Sequence, residues 1–242
     1  MDNIDCLKSL ARALRLPVFE SFADYVKPEM SIEKALISLM SEERARRNDV
    51  SVKRRIREAG LPNGKTIDTF KLMPSIPHFK EEQLQSLATC QFIKANMNIC
   101  ALGGSGTGKT HLMAAVSRIA IQLGYTVKFM RVSDMLTLLH EASTEKRLGA
   151  MMKTLLKVDL LSLDELGYIS LSIKKAQLLF DVIAKRSEAG GSIFVTSNFE
   201  FSRWKEFIGD TVMTKALVGK LAGNSFVLNM NGEDYRLVSR KS

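Results

Sequence analysis

The chain has 242 residues, 45% of them hydrophobic and 25% charged, with a formal net charge of +9. That length accommodates one large domain, or a large and a small one, and no apolar run reaches the ~18 residues that would suggest a membrane-spanning helix. The basic balance asks for an acidic partner, with nucleic acid first and a membrane surface or an acidic protein as the other classes.

In chain order, Ser31 is predicted to cap a helix with Ile32, Ala35, Leu36, Leu39 and Met40 on one face. Asp49 is predicted to cap a second helix, with Val52, Ile56 and Ala59 inward, stopped by Gly60 and Pro62. Arg44, Arg46, Arg47, Lys53, Arg54, Arg55 and Arg57 crowd this stretch. Such a run is either a solvated helix face or a phosphate-contacting surface, and charge pattern alone does not choose between them. Turn chemistry at residues 61–66, followed by Pro74 and Pro77, marks a boundary. Residues 1–70 are predicted to form a small all-helical domain. Residues 71–242 alternate strand and helix, the pattern of an α/β domain with a doubly wound parallel sheet.

Residues 99–102 read as a buried strand and residues 108–123 as a helix closed by Gly124. Between them stands Gly103-Gly104-Ser105-Gly106-Thr107-Gly108-Lys109-Thr110, a complete phosphate-binding loop in the context such a loop requires. Its glycines let the backbone curl so that several N–H groups face one phosphate chain, and the helix dipole adds to the same spot. Lys109 is predicted to reach the β- and γ-phosphates, and the Thr110 hydroxyl to hold Mg²⁺. ATP and Mg²⁺ are the cofactors this implies.

A strand over residues 125–130 follows, then a helix from Ser133 to His140 and another over 144–156. The apolar run 158–163 ends in Asp164-Glu165, two acids at the carboxyl end of a parallel strand, where they lie beside a phosphate loop. Asp164 is predicted to contact Mg²⁺ through its water shell and Glu165 to polarise the attacking water. A helix over 172–188 closes at Gly190-Gly191. The strand 192–196 runs into Ser197-Asn198, either a γ-phosphate sensor or a strand followed by an Asn turn. After a helix over 211–221, the runs 226–230 and 235–238 flank Asn231-Gly232, the best short hairpin signal in the chain.

The runs 106–112 and 159–168, with Thr196-Ser197-Asn198, Gly209-Asp210 and Gly232-Glu233-Asp234-Tyr235-Arg236-Leu237, resemble the IstB family. These are AAA+ ATPase helpers of bacterial insertion sequences, relatives of the helicase loader DnaC. The resemblance extends through residues 42–57 and Asp68-Thr69-Phe70, and so covers nearly the whole chain. It implies an ATPase that forms homo-oligomers on double-stranded DNA, deforms it, and recruits or activates a partner transposase, with ATP between subunits. It also implies that His111 belongs to the cofactor-binding run, that Asn198 senses the γ-phosphate, and that Arg236 is a sensor arginine on a short lid-like C-terminal element. The basic residues from Arg44 to Arg57 become the DNA-contacting surface. At Gly219-Lys220 the family shows an aspartate-arginine pair, the arginine being the trans-acting finger. Lys220 lacks the planar two-pronged contact of a guanidinium, with Arg186 and Arg203 as spare candidates. The competing reading is a DnaC-like loader acting on a replicative helicase and single-stranded DNA; a small-molecule kinase fits the acidic pair less well.

Cys6, Cys90 and Cys100 have no paired spacing and read as reduced thiols. With acids at Asp2 and Asp5, where a signal peptide carries bases, they predict a cytoplasmic protein without a membrane partner.

Overall fold

The computed structural model describes residues 2–73 and 75–238; Pro74, one of the two prolines read as turn signals, lies outside them. Two compact units divide the chain, Met1–Arg55 and Ile56–Ser242. The first holds α1 (Asn3–Ala13), α2 (Pro17–Glu20) and most of α3 (Ile32–Ala59).

Where two helices were expected around Asp49, α3 is one helix of 28 residues. Neither Gly nor Pro interrupts the sequence from Ile32 to Ala59, and a single aspartate inside a helix costs only a few tenths of a kcal/mol, too little to break it. The expected inward face is also different. Leu39 and Val52 are buried, whereas Ile32, Leu36 and Met40 are exposed. The helix instead buries Glu43, whose carboxylate accepts the Val18 N–H at 3.2 Å and Arg47 Nε at 2.8 Å. Burial pushes this carboxyl up, but those bonds and the Arg47 charge hold it below the usual glutamate range.

The second unit opens with α4 (Glu81–Ala88) and α5 (Gln91–Lys94), then alternates: β1 (Asn98–Leu102), α6 (Lys109–Gln122), β2 (Val127–Arg131), α7 (Val132–Thr144), α8 (Leu148–Lys157), β3 (Leu160–Leu166), α9 (Ile173–Glu188), β4 (Ser192–Ser197), α10 (Lys205–Ile208), α11 (Thr211–Ala222), β5 (Ser225–Asn229) and α12 (Tyr235–Val238). The five strands are parallel in the order β2-β3-β4-β1-β5. The segment after α3 packs here too. Arg118 on α6 donates to the carbonyls of Lys65 and Pro62 at 3.0 and 2.6 Å, within the unit Ile56–Ser242.

Three elements differ from expectation. β2 begins at Val127 because Thr126 is engaged by Asp159, whose carboxylate accepts both its N–H and its hydroxyl at 2.7 Å. α7 starts directly after β2 and runs on to Thr144, with Ser133 inside its first turn rather than at its cap. The Asn231-Gly232 hairpin does not form. β5 instead pairs parallel with β1, from Asn98↔Ser225 to Leu102↔Asn229, and residues 235–238 are helical. Gly232 serves a close approach: a Cβ there would meet the Ser75 carbonyl.

One hydrophobic layer packs the sheet against α7, α9 and α11 and includes Trp204 and Phe207; α6 buries Leu112 to Val116. Arg186 is fully buried at the foot of the sheet. Nη1 donates to the carbonyls of Leu155 and Val158, and Nη2 to those of Asp159 and Ser192, at 2.7 to 3.2 Å. It ties the end of α8 to the starts of β3 and β4. Burial lowers its pKa to about 10, with Asp159 opposing.

Candidate functional site

The strand order puts the carboxyl ends of β1, β4 and β3 side by side, and the phosphate loop leaves β1 at that edge. Gly106 and Gly108 have φ of 72° and 89°, left-handed values that favour glycine. A Cβ on Gly106 would collide with the Asp234 carboxyl group, and one on Gly108 would press on the Phe70 ring. Among the described residues, the backbone N–H groups of Gly106, Thr107, Gly108 and Lys109 have no acceptor within the chain. They stand at the start of the 14-residue α6, an arrangement that takes an anion. Lys109 is 6% exposed, and its ammonium donates to the carbonyls of Gly103 and Gly104 at 2.7 and 2.5 Å. Burial lowers its pKa to about 8, against the pull of Asp164.

The facing wall is built by β3 and β4. Asp164 is buried, and its Oδ1 accepts the hydroxyls of Thr110 at 3.0 Å and Thr196 at 2.5 Å. Thr196 Oγ1 in turn accepts the Glu165 N–H at 3.0 Å. The β3–β4 register slips here, since Leu163 pairs with Val195 but Leu166 with Ser197. The extra residue is taken up by Glu165 at φ 62°, the mark of a bulge that re-aims a side chain. The Glu165 carboxylate lies 3.3 Å from Arg131 Nε at the end of β2. Asn198, one residue past β4, is exposed and lines the same cleft.

The cleft measures about 380 Å³ and gathers Ser105 to His111, Asp164, Glu165, Asn198 and Arg236. Gly103 and Gly104 form the back of the loop. His111 faces a third wall made by residues 65–73: its Nε2 lies 2.9 Å from the Thr66 carbonyl and 3.1 Å from Thr69 Oγ1, and its ring meets Phe70 edge-on at 5.4 Å. Arg236 donates to Ser105 Oγ at 3.1 Å and is paired with Asp234 at 2.6 Å, which raises its pKa and lowers that of Asp234.

Other predicted residues are not brought to the cleft. Lys220 lies 3.8 Å from Glu188 and does not line it. Arg186 is consumed by its four backbone bonds, so it is no candidate for a contact to a neighbouring molecule. Arg203 is exposed, paired with Glu206 at 2.8 Å and stacked 4.6 Å over Phe199. In the basic set, Arg44, Arg46, Lys53, Arg54 and Arg57 are exposed. Arg47 is tied to Glu43 and to the Arg15 carbonyl, and Arg55 is half-buried with its Nε lacking an acceptor among the described residues. Sequence reasoning missed Thr196, Arg131, Phe70 and Asp234. Thr196 was within reach, as a hydroxyl two residues before Asn198; the others depend on tertiary approach.

The donor set fits Mg²⁺. The described residues contain no cluster of three His, Cys, Asp or Glu side chains, but Mg²⁺ bound with a nucleotide takes few protein oxygens and draws the rest from phosphate and water. Thr110 would supply a direct oxygen, and Asp164, within hydrogen-bond distance of it, would hold the ion through its water shell.

A parallel β2-β3-β4-β1-β5 sheet, with a glycine loop leaving β1 and acids ending β3, defines an AAA+-type P-loop fold. Solved structures agree: the DnaC helicase loader has TM-score 0.57 at 22% identity, covering 71% of this chain and 98% of that one. AMPPCP-bound DnaA from Aquifex aeolicus has TM-score 0.60 at 18% identity, covering 75% and 55%. The chain belongs to the family described as IstB-like ATP binding protein, whose profile matches residues 6–242. It is 34% identical to a protein of insertion sequence IS5376 from Geobacillus stearothermophilus over 94% of this chain and 92% of that one. It is 32% identical to one of insertion sequence IS21 from Pseudomonas aeruginosa, over 89% and 80%. Both relatives are provisionally named as ATP-binding proteins. Among the described residues, no helix is long and apolar enough to cross a membrane.

Proposed function

We propose that this protein is an ATPase that helps DNA transposition: it binds ATP, assembles on double-stranded DNA as a homo-oligomer, and recruits or activates a partner transposase. The observation that carries the ATPase reading is the Asp164 carboxylate, shared by the Thr110 and Thr196 hydroxyls beside the outward-turned Glu165. Lys109 and the loop N–H groups bind the phosphate chain, while Thr110 and Asp164 hold Mg²⁺, which when bound neutralises charge on the phosphates. Glu165 takes the proton of the attacking water, the role its half-exposed carboxylate suits. Asn198 and Arg236, which line the same cleft, read the terminal phosphate. Lys220, turned away from its own cleft, serves a neighbouring copy as a weaker substitute for an arginine.

The insertion-sequence names of the relatives support the transposition context over the helicase-loader reading, since the likeness to DnaC is one of fold. A gel-shift series with duplex and single-stranded DNA, with and without ATP, tests this. ATP-dependent retardation of duplex is the expected outcome; ATP-dependent binding of single strands alone would favour the loader.

A further inference from the structure

Residues 230–236 form a strap against the phosphate loop. The Gly104 N–H donates to Asn231 Oδ1 at 3.2 Å, and the Tyr235 N–H to the Gly106 carbonyl at 3.0 Å. Asp234 occupies the space beside Gly106 that any larger residue would need. Its carboxylate accepts three hydrogen bonds from Arg236: from the backbone N–H at 2.9 Å, Nε at 3.0 Å and Nη2 at 2.6 Å. A third acid beside the anion-binding loop, after Asp164 and Glu165, is electrostatically costly. It is tolerated here because it is paired with the guanidinium that the proposed function assigns to the terminal phosphate. We propose that Asp234 sets the preference of the site for triphosphate over diphosphate, by competing with the γ-phosphate for Arg236. A diphosphate leaves the Asp234–Arg236 pair intact; a triphosphate must part it. Asp234 acts through Arg236 and is a positioning residue.

The inference rests on the ATP-site reading, and the test separates the two. Fluorescent ADP and a fluorescent non-hydrolysable ATP analogue are titrated into the full chain, its Asp234→Asn and Arg236→Gln variants, the double variant, and Lys109→Ala. Asp234→Asn keeps the side-chain shape, and its ADP affinity reports an intact site. The ratio of ATP-analogue to ADP affinity should rise about two- to fivefold in Asp234→Asn, the range of one exposed ion pair. It should not change when the same substitution is made in Arg236→Gln. An unchanged ratio, or an equal gain for both nucleotides that survives in Arg236→Gln, would overturn the proposal and leave Asp234 as a general repulsive charge. If Lys109→Ala binds both nucleotides with unaltered affinity, the site reading itself fails.

Discussion

Burial draws the Lys109 ammonium down to about 8, against the pull of Asp164, which brings its loss of charge within range of ordinary buffers. Two opposite pH effects follow. Phosphate binding needs the ammonium, so ATP affinity should fall as pH rises through that value. Stability runs the other way: between about 8 and the ordinary lysine value of 10.5, the unfolded chain binds more protons than the folded one, so the penalty this buried charge puts on folding is relieved as pH rises across that window. Nucleotide titrations on either side of the lowered value check the first effect, and an affinity flat across it would contradict the assignment of Lys109. The thiols give a second check at this scale. Burial pushes Cys90 up to about 11 and Cys100 up to about 12, while Cys6 is exposed. A thiol reagent should label Cys6 in the native protein and reach the other two only on unfolding; fast native labelling would contradict the packing of β1 at Cys100, or of the turn before α5 at Cys90.

Among the elements, β1 with its loop and the acidic end of β3 were legible because each is a short buried run stopped by a chemical signature. The bulge that turns Glu165 outward was not legible. No glycine or asparagine marks it, and its left-handed backbone follows from pairing with β4. The Asn231-Gly232 signal misled for the opposite reason: the local turn preference is real, but the β1 edge offered β5 a parallel partner distant in sequence. On α3, periodicity could not separate one helix from two, because a mid-helix aspartate is cheap. The exposure of Arg46 and Arg54 makes them better probes of DNA binding than Arg47, which is tied to Glu43 and the Arg15 carbonyl, or Arg55, which is half-buried. Arg46→Glu with Arg54→Glu should weaken duplex binding and lower the slope of log affinity against log salt by about 0.9 for each phosphate that is no longer neutralised. An unaltered slope would return these arginines to a solvated face.

Across the molecule, the fold depends on a charge that plays no part in the cleft. Arg186 satisfies four carbonyls where α8, β3 and β4 converge, and a Cβ on neighbouring Gly191 would strike its guanidinium. Arg186→Ala should cost about 3–5 kcal/mol in chemical denaturation, from the cavity left by a large buried side chain and the carbonyls left without a donor; a loss under about 1 kcal/mol would show that the carbonyls find other partners. In sequence this residue looked like a spare finger, because an arginine in the last turn of a helix carries no sign of where it points.

In the proposed function, the loop from Gly103 to Thr110 and the wall of Asp164, Glu165 and Thr196 are two sides of one ATP-hydrolysing site. Glu165→Gln tests it most directly, with nucleotide titration and phosphate release measured on the same DNA-bound protein. ATP affinity should stay within about twofold of the unaltered chain, turnover should fall by about 10²–10⁴-fold as expected for loss of a general base, and the ATP-bound assembly should persist on duplex DNA. Hydrolysis at the normal rate in this variant would contradict it.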